Sequence, residues 1–216
     1  MSKRGYYLLA GAVVLATLVL TAVVFPQLPA EVPTHWNIHN QIDRYGSKWQ
    51  LVFMLPSIMA GVMALMAALP WLSPRRFEVS GPRLIYLAVM VIVVASLAYF
   101  QVLMILAALS RPVNMTRATF GGLCLLFAAL GFVLPRLPRN FYVGVRTPWT
   151  LADARVWEAT HRFAGIVMVA GGVLAFLLVI VQSNIWPPAA VLVTAGLAPV
   201  IHSLVFYKQL ERDGQV

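Results

Sequence analysis

The sequence predicts an all-α polytopic membrane protein, a bundle of six transmembrane helices with both termini cytoplasmic. Three observations predict it. No Asp, Glu, Lys or Arg occurs between Arg162 and Lys208, and Ser183-Asn184-Ile185-Trp186-Pro187-Pro188 interrupts that run near its middle. About 20 apolar residues span a hydrocarbon core, so the run holds two helices joined by a polar hairpin. Uncharged windows recur at 5–30, 49–74, 84–110 and 118–135. Finally, the chain is 61% hydrophobic and 11% charged, where soluble domains carry roughly 25% charged residues.

Trimming at turn residues places the spans at 6–25, 50–72, 84–108, 118–134, 164–182 and 189–207. Phe25-Pro26-Gln27-Leu28-Pro29 closes the first span and lacks a small-x-small cleavage pattern, so this span is retained rather than removed as a signal peptide. Trp49 and Trp71 bracket the second, as interfacial aromatics do. The third holds Ser96, Tyr99 and Gln101. The fourth is the shortest and carries Gly121-Gly122 and the lone Cys124, which behaves as a small apolar residue. Pro187-Pro188 precedes the sixth, in which His202 is expected to donate to a neighbouring helix. Small residues four apart, Ala60/Ala64/Ala68 and Gly171/Ala175, predict close helix packing.

Lys and Arg set the orientation. Of the 16, only Arg44, Lys48, Arg111 and Arg117 fall on one side, which makes the other side, with both termini, cytoplasmic. The same distribution accounts for the net charge of +9 and argues against direct nucleic-acid binding. The spans themselves contain no Asp, Glu, Lys or Arg, which weakens an ion-coupled transporter, since such residues mark ion pathways.

Two polar segments exceed what a connector needs. In the extracellular loop 26–48, His35, His39 and Asp43 stand four apart. On a helix they would share a face and offer metal ligands, but Pro33 and the Asn/Gly/Ser content favour a loop with at most one helical turn, its polar groups bonding one another. In the cytoplasmic loop 135–162, Thr150-Leu151-Ala152-Asp153 fits a capping box. Nothing from Leu151 onward breaks the helix, so it is expected to run on into the fifth span. Asp153, Trp157 and His161 then share one face and Glu158/Arg162 form an i,i+4 pair. That helix reads either as an amphipathic approach with Trp157 as interfacial anchor or, with Arg146, as a docking or proton-sensitive surface.

The string Asn140-Phe141-Tyr142-Val143-Gly144-Val145-Arg146-Thr147-Pro148-Trp149-Thr150, followed by Trp157 and Thr160-His161, resembles the signature of the SdpI family of bacterial membrane immunity proteins. Pro33-Thr34-His35-Trp36-Asn37, continuing to Asp43 and Gly46-Ser47-Lys48, is similar to an N-terminal domain that often accompanies that signature. Where the outer motif usually has a glycine, Asn40 stands here; Asn tolerates the left-handed conformation better than other non-glycine residues. The implied organisation is an N-terminal two-span domain, 1–80, and an SdpI-like four-span domain, 81–216.

The resemblance implies a protein of the bacterial plasma membrane that protects against a secreted antimicrobial peptide and holds a cytoplasmic transcriptional repressor at the membrane. It also implies a protein that is not an enzyme and needs no cofactor. Carried over by position, Asn140, Gly144, Arg146, Thr147, Pro148, Trp157, Thr160 and His161 fall on the cytoplasmic motif, and His35, Asn37, Asp43, Gly46 and Lys48 on the extracellular, peptide-sensing one. Two rival readings use other residues. A small transporter or channel would use Gln101, Gln182 and His202; a metal-dependent membrane enzyme would use His35, His39 and Asp43.

Overall fold

The computed structural model describes residues 1–72 and 85–216. Arg75, Arg76 and Arg83, and the expected domain boundary at 80/81, lie outside the described residues. The elements in chain order are α1 (Lys3–Val24), β1 (Glu31–Trp36), β2 (Ile42–Ser47), α2 (Lys48–Leu72), α3 (Ile85–Ala108), α4 (Met115–Val133), α5 (Pro148–Ala152), α6 (Ala154–Val181) and α7 (Trp186–Arg212). All the helices but α5 are long and apolar enough to cross a membrane, and each expected span lies on one of these six. The chain is a helical multi-pass membrane bundle.

Each crossing reverses the last. The N-terminus, the 134–153 segment and the C-terminus share one end: Tyr142 Oη donates to Leu72 O at the close of α2, and Arg155 reaches Gln215 O at 2.8 Å. The β1–β2 hairpin and the 109–114 and 182–185 turns share the other. There Arg117 donates to Val179 O (2.7 Å) and Ile180 O (2.7 Å), satisfying carbonyls left open where α6 ends. Trp49, Trp71 and Trp186 stand exposed at helix ends, where an interfacial belt places them.

Small residues set the helix spacing. A Cβ at Gly131 would lie 2.7 Å from Met168 Cβ, and one at Gly172 would lie 2.8 Å from Ala128 Cβ, so α4 and α6 meet nearly backbone to backbone. Gly171 does the same for α6 and α7, with Ala195 Cβ at 2.7 Å from its Cβ position. The Ala60/Ala64/Ala68 row does not pack as its spacing suggests: Ala60 and Ala64 are exposed on the outside of α2. One apolar core, with Met59, Leu87, Met90 and Trp157, fills the end near the termini; a second, with Leu28, Val32, Leu51 and Ile105, lies under the hairpin.

Two expectations about local structure are corrected. The 26–48 segment holds a two-stranded antiparallel hairpin rather than a loop with a helical turn. The helix expected to run from Leu151 into the membrane breaks at Asp153 (φ −128°, ψ 134°). Asp153 takes extended backbone because its carboxylate caps α6, accepting from Arg155 N at 2.7 Å. The capping box lies three residues before the expected one. Thr147 Oγ1 accepts from Thr150 N (3.2 Å), Thr150 Oγ1 accepts from Thr147 N (2.9 Å), and Pro148 occupies the first helical turn.

Candidate functional site at the two ends of the bundle

The hairpin pairs Glu31 with Ser47, Val32 with Gly46 and Trp36 with Ile42, with irregular register around His35. This ladder brings together two of the three residues spaced by four. His35 Nδ1 and Asp43 Oδ1 are 2.5 Å apart on the exposed face, whereas His39 sits in the turn, its amide donating to Asn37 Oδ1 at 2.9 Å. Among the described residues no group of three His, Cys, Asp or Glu is placed to hold a metal ion.

The turn is organised by Asn37. Its Oδ1 also accepts from Gln41 N (3.0 Å), and its Nδ2 donates to Gln41 Oε1 (2.9 Å). Asn40 holds φ +61°, the left-handed conformation a glycine would otherwise supply. Both asparagines fix the hairpin to the bundle. Thr116, in the first turn of α4, donates its amide to Asn40 Oδ1 (3.1 Å) and its hydroxyl to Asn37 O (3.1 Å). Thr116 is an attachment point the motifs do not reveal; the local signal is Asn114, which caps α4. At the hairpin base Lys48 N donates to Ala30 O (3.1 Å) and Lys48 Nζ stands 4.4 Å over the Phe25 ring. A Cβ on Gly46 would run into the Gln50 side chain.

Below the hairpin lies a cleft of about 390 Å³. Its floor is α3 (Phe100, Leu103, Met104), its walls are Met54 of α2 and Phe120 of α4, and β1 forms its roof. A second cleft, of about 450 Å³, lies beyond Trp36 and Met115, which line both; Glu31 and Arg111 border this one.

The inner motif is used differently. Asn140 is buried and makes four bonds: Oδ1 accepts from Tyr142 N (2.8 Å) and Val143 N (2.7 Å), and Nδ2 donates to Pro138 O (2.9 Å) and Val143 O (3.0 Å). Gly144 follows at φ +119°, where any Cβ would overlap His161 Nε2. Val145 N donates to that Nε2 at 3.1 Å, so His161 Nδ1 carries the hydrogen and donates to Trp157 O at 2.8 Å: a neutral imidazole. Its ring stacks on Trp157 with centroids 4.0 Å apart, and Trp157 Nε1 donates to Leu137 O (2.9 Å). Trp157 is thus a buried strut, neither an interfacial anchor nor part of a surface.

Thr147 is buried and also bonds Ser203 Oγ of α7 at 3.0 Å. Thr160 is fully buried, its hydroxyl without a partner among the described residues. Of the eight inner residues only Arg146 and Pro148 are exposed, and Arg146 Nη1 donates to Phe141 O at 2.6 Å. At the rim, hydrogen bonding from the Arg155 side chain holds the Asp153 carboxyl below the usual carboxylate range.

The three polar groups of a transport path do not line up. Gln101 Nε2 donates to Leu51 O (2.8 Å) and Thr21 Oγ1 (3.2 Å), tying α3 to α1 and α2 near the hairpin end. His202 lies towards the other end, stacked between Phe163 and Phe206 at 4.6 and 5.9 Å. Its Nδ1 is buried with no partner among the described residues, so it does not donate to a neighbouring helix through that atom. Gln182 caps the end of α6.

Residues 136–206 match the SdpI/YfhL protein family, and residues 12–60 match a domain of unknown function, DUF1648. The chain is similar to immunity protein SdpI of Bacillus subtilis (strain 168), with 28% identity over 199 residues, covering 88% of this chain and 91% of that protein. No solved structure matches. Every motif residue at both ends falls inside a matched segment.

Proposed function

Because the chain is an SdpI-family protein with an N-terminal DUF1648 segment, we propose that it is an immunity protein of the bacterial plasma membrane, without enzymatic activity. It protects the cell that makes it from a secreted antimicrobial peptide met at the hairpin. The observation that carries this reading is the likeness to immunity protein SdpI, which runs through both polar segments and nearly the full length of both chains. The hairpin adds a chemical reason: it displays Ile38, Ile42 and Tyr45 beside the His35–Asp43 pair, an apolar and polar surface suited to an amphipathic peptide.

Signalling follows the same path. With both termini cytoplasmic, the inner loop presents Arg146 and Pro148 to a cytoplasmic regulator, and the buried motif residues hold that loop in shape. The helix α4 joins the two ends, bonded to the hairpin at Thr116 and leading directly into the 134–147 segment. Peptide binding shifts signalling only if it favours one packing of α4 against α6 over another.

The test is survival of a sensitive bacterium expressing the protein under a panel of secreted peptides, beside His35→Ala and Arg146→Ala variants matched for membrane abundance. Protection lost on His35→Ala supports the reading. Equal survival with and without correctly inserted protein, across peptides that kill the host, contradicts it.

A further inference from the structure

We propose that the two clefts beside the hairpin together seat one zwitterionic phospholipid, its acyl chain under the hairpin and its headgroup between Glu31 and Arg111. This inference is independent of the immunity reading. The cleft under the hairpin opens toward the bilayer: Met54 lines it and is 48% exposed, and Phe53 and Ile58 on the same helix face outward. Its 390 Å³ is within the roughly 300–1,000 Å³ range of small-ligand sites. No Lys, Arg, Asp or Glu lines it, and the floor is Phe100, Leu103 and Met104. Water finds few partners on such a floor, so a cleft open to lipid fills with hydrocarbon.

The headgroup assignment comes from charge. Glu31 and Arg111 border the second cleft, and neither side chain has a hydrogen bond or ion pair among the described residues. Two unpaired groups of opposite sign in one cleft match a ligand that carries both. Arg111 suits a phosphate, which its planar fork can bind through two hydrogen bonds. Glu31 suits an ammonium. Trp36 and Met115, shared by both clefts, form the shoulder over which the glycerol region passes. A phosphatidylethanolamine meets every requirement; a phosphatidylglycerol leaves Glu31 without a cation.

Native mass spectrometry of the full-length protein in mild detergent, supplied with defined phosphatidylethanolamine and phosphatidylglycerol, tests this. The unaltered chain is expected to retain one phosphatidylethanolamine in preference to phosphatidylglycerol. Thr119→Trp, which fills the cleft from α4, should lower retention at least about tenfold, the equivalent of ~1.4 kcal/mol. Met54→Trp fills it from the opposite wall and guards against a folding defect in either variant, with size-exclusion behaviour and thermal unfolding as controls. Arg111→Ala should weaken both lipids, and Glu31→Gln should abolish the preference between them. Equal retention by the filled variants and the unaltered chain overturns the proposal and leaves the cleft to another occupant, such as a peptide segment. A preference that Glu31→Gln leaves unchanged overturns it as well.

Discussion

The hairpin and the inner loop carry motifs of similar size, yet the two use their polar side chains in opposite ways. In the hairpin His35, His39 and Asp43 are exposed, while Asn37 and Asn40 are spent on attachment to Thr116 of α4. In the inner loop Asn140, Thr147, Thr150, Trp157, Thr160 and His161 are buried, all but Thr160 tied into hydrogen bonds, so that Arg146 is nearly all that remains on show. A polar motif is therefore no guide by itself to a contact surface. The hairpin displays its residues, whereas the loop builds with them.

That contrast breaks most easily at Asn140. Asn140→Ala strands the half-buried amides of Tyr142 and Val143. At about 1–3 kcal/mol for each unsatisfied group, a loss on the order of 3 kcal/mol is expected in thermal unfolding of the purified protein. Asn140→Asp keeps the acceptor but sets a carboxylate oxygen against the Pro138 and Val143 carbonyls to which Nδ2 donates, so it should lose at least as much; a clearly smaller loss would mean that the two donated bonds do not matter.

Gly144→Ala comes next, at about 2 kcal/mol, since it combines a left-handed backbone with an overlap on His161. Adding His161→Ala removes the overlap but not the backbone strain, so the double variant should fall short of the summed losses. Strict additivity in a double-mutant cycle would refute the contact.

Asp153 contributes less, about 1 kcal/mol as an N-cap. Its carboxyl is held below the ordinary range when folded, so its contribution is complete above the unfolded pKa of about 3.9 and is lost as pH falls through the folded value. Asp153→Asn retains a capping oxygen without the titration. Its stability relative to the unaltered chain should be flat above about pH 5 and rise below about pH 4; a difference that grows toward neutral pH would contradict this sign.

The smallest stability change is expected at His35→Ala. With His35 and Asp43 side chains 57% and 44% exposed, their pair is worth about 0.5 kcal/mol or less. If the hairpin is a display surface, protection should collapse while thermal stability hardly moves. A large stability loss would place His35 with the builders instead.

The spans were legible because their signal is local: an uncharged run of sufficient length has few alternatives to a membrane helix. The hairpin was not, because what fixes it is remote. Asn37 and Asn40 bond Thr116, more than seventy residues away, and no spacing within 31–48 reports that contact. His35 and Asp43 read as one helical face at intervals of four, but they meet because a turn folds one strand onto the other. Asn40 was the readable clue, a residue tolerant of positive φ where a turn must reverse. In the inner segment the shared face of Trp157 and His161 was readable, whereas its direction depended on Leu137 and Val145 folding back over it. The capping box was misplaced by three residues because Thr147 and Thr150 both qualify by type, and Pro148 in the first turn decides between them.

The Gln101 amide also bears on how the chain is made. Both of its partners among the described residues, Thr21 and Leu51, precede it, so a ribosome that has just released α3 has already supplied these hydrogen bonds. The first three helices can leave the insertion machinery as a unit, with no bare amide facing lipid. The fourth is seated only in part so early: Thr116 finds its hairpin partners, but the close contacts at Gly131 and Ala128 wait for α6, which is made only after the inner loop.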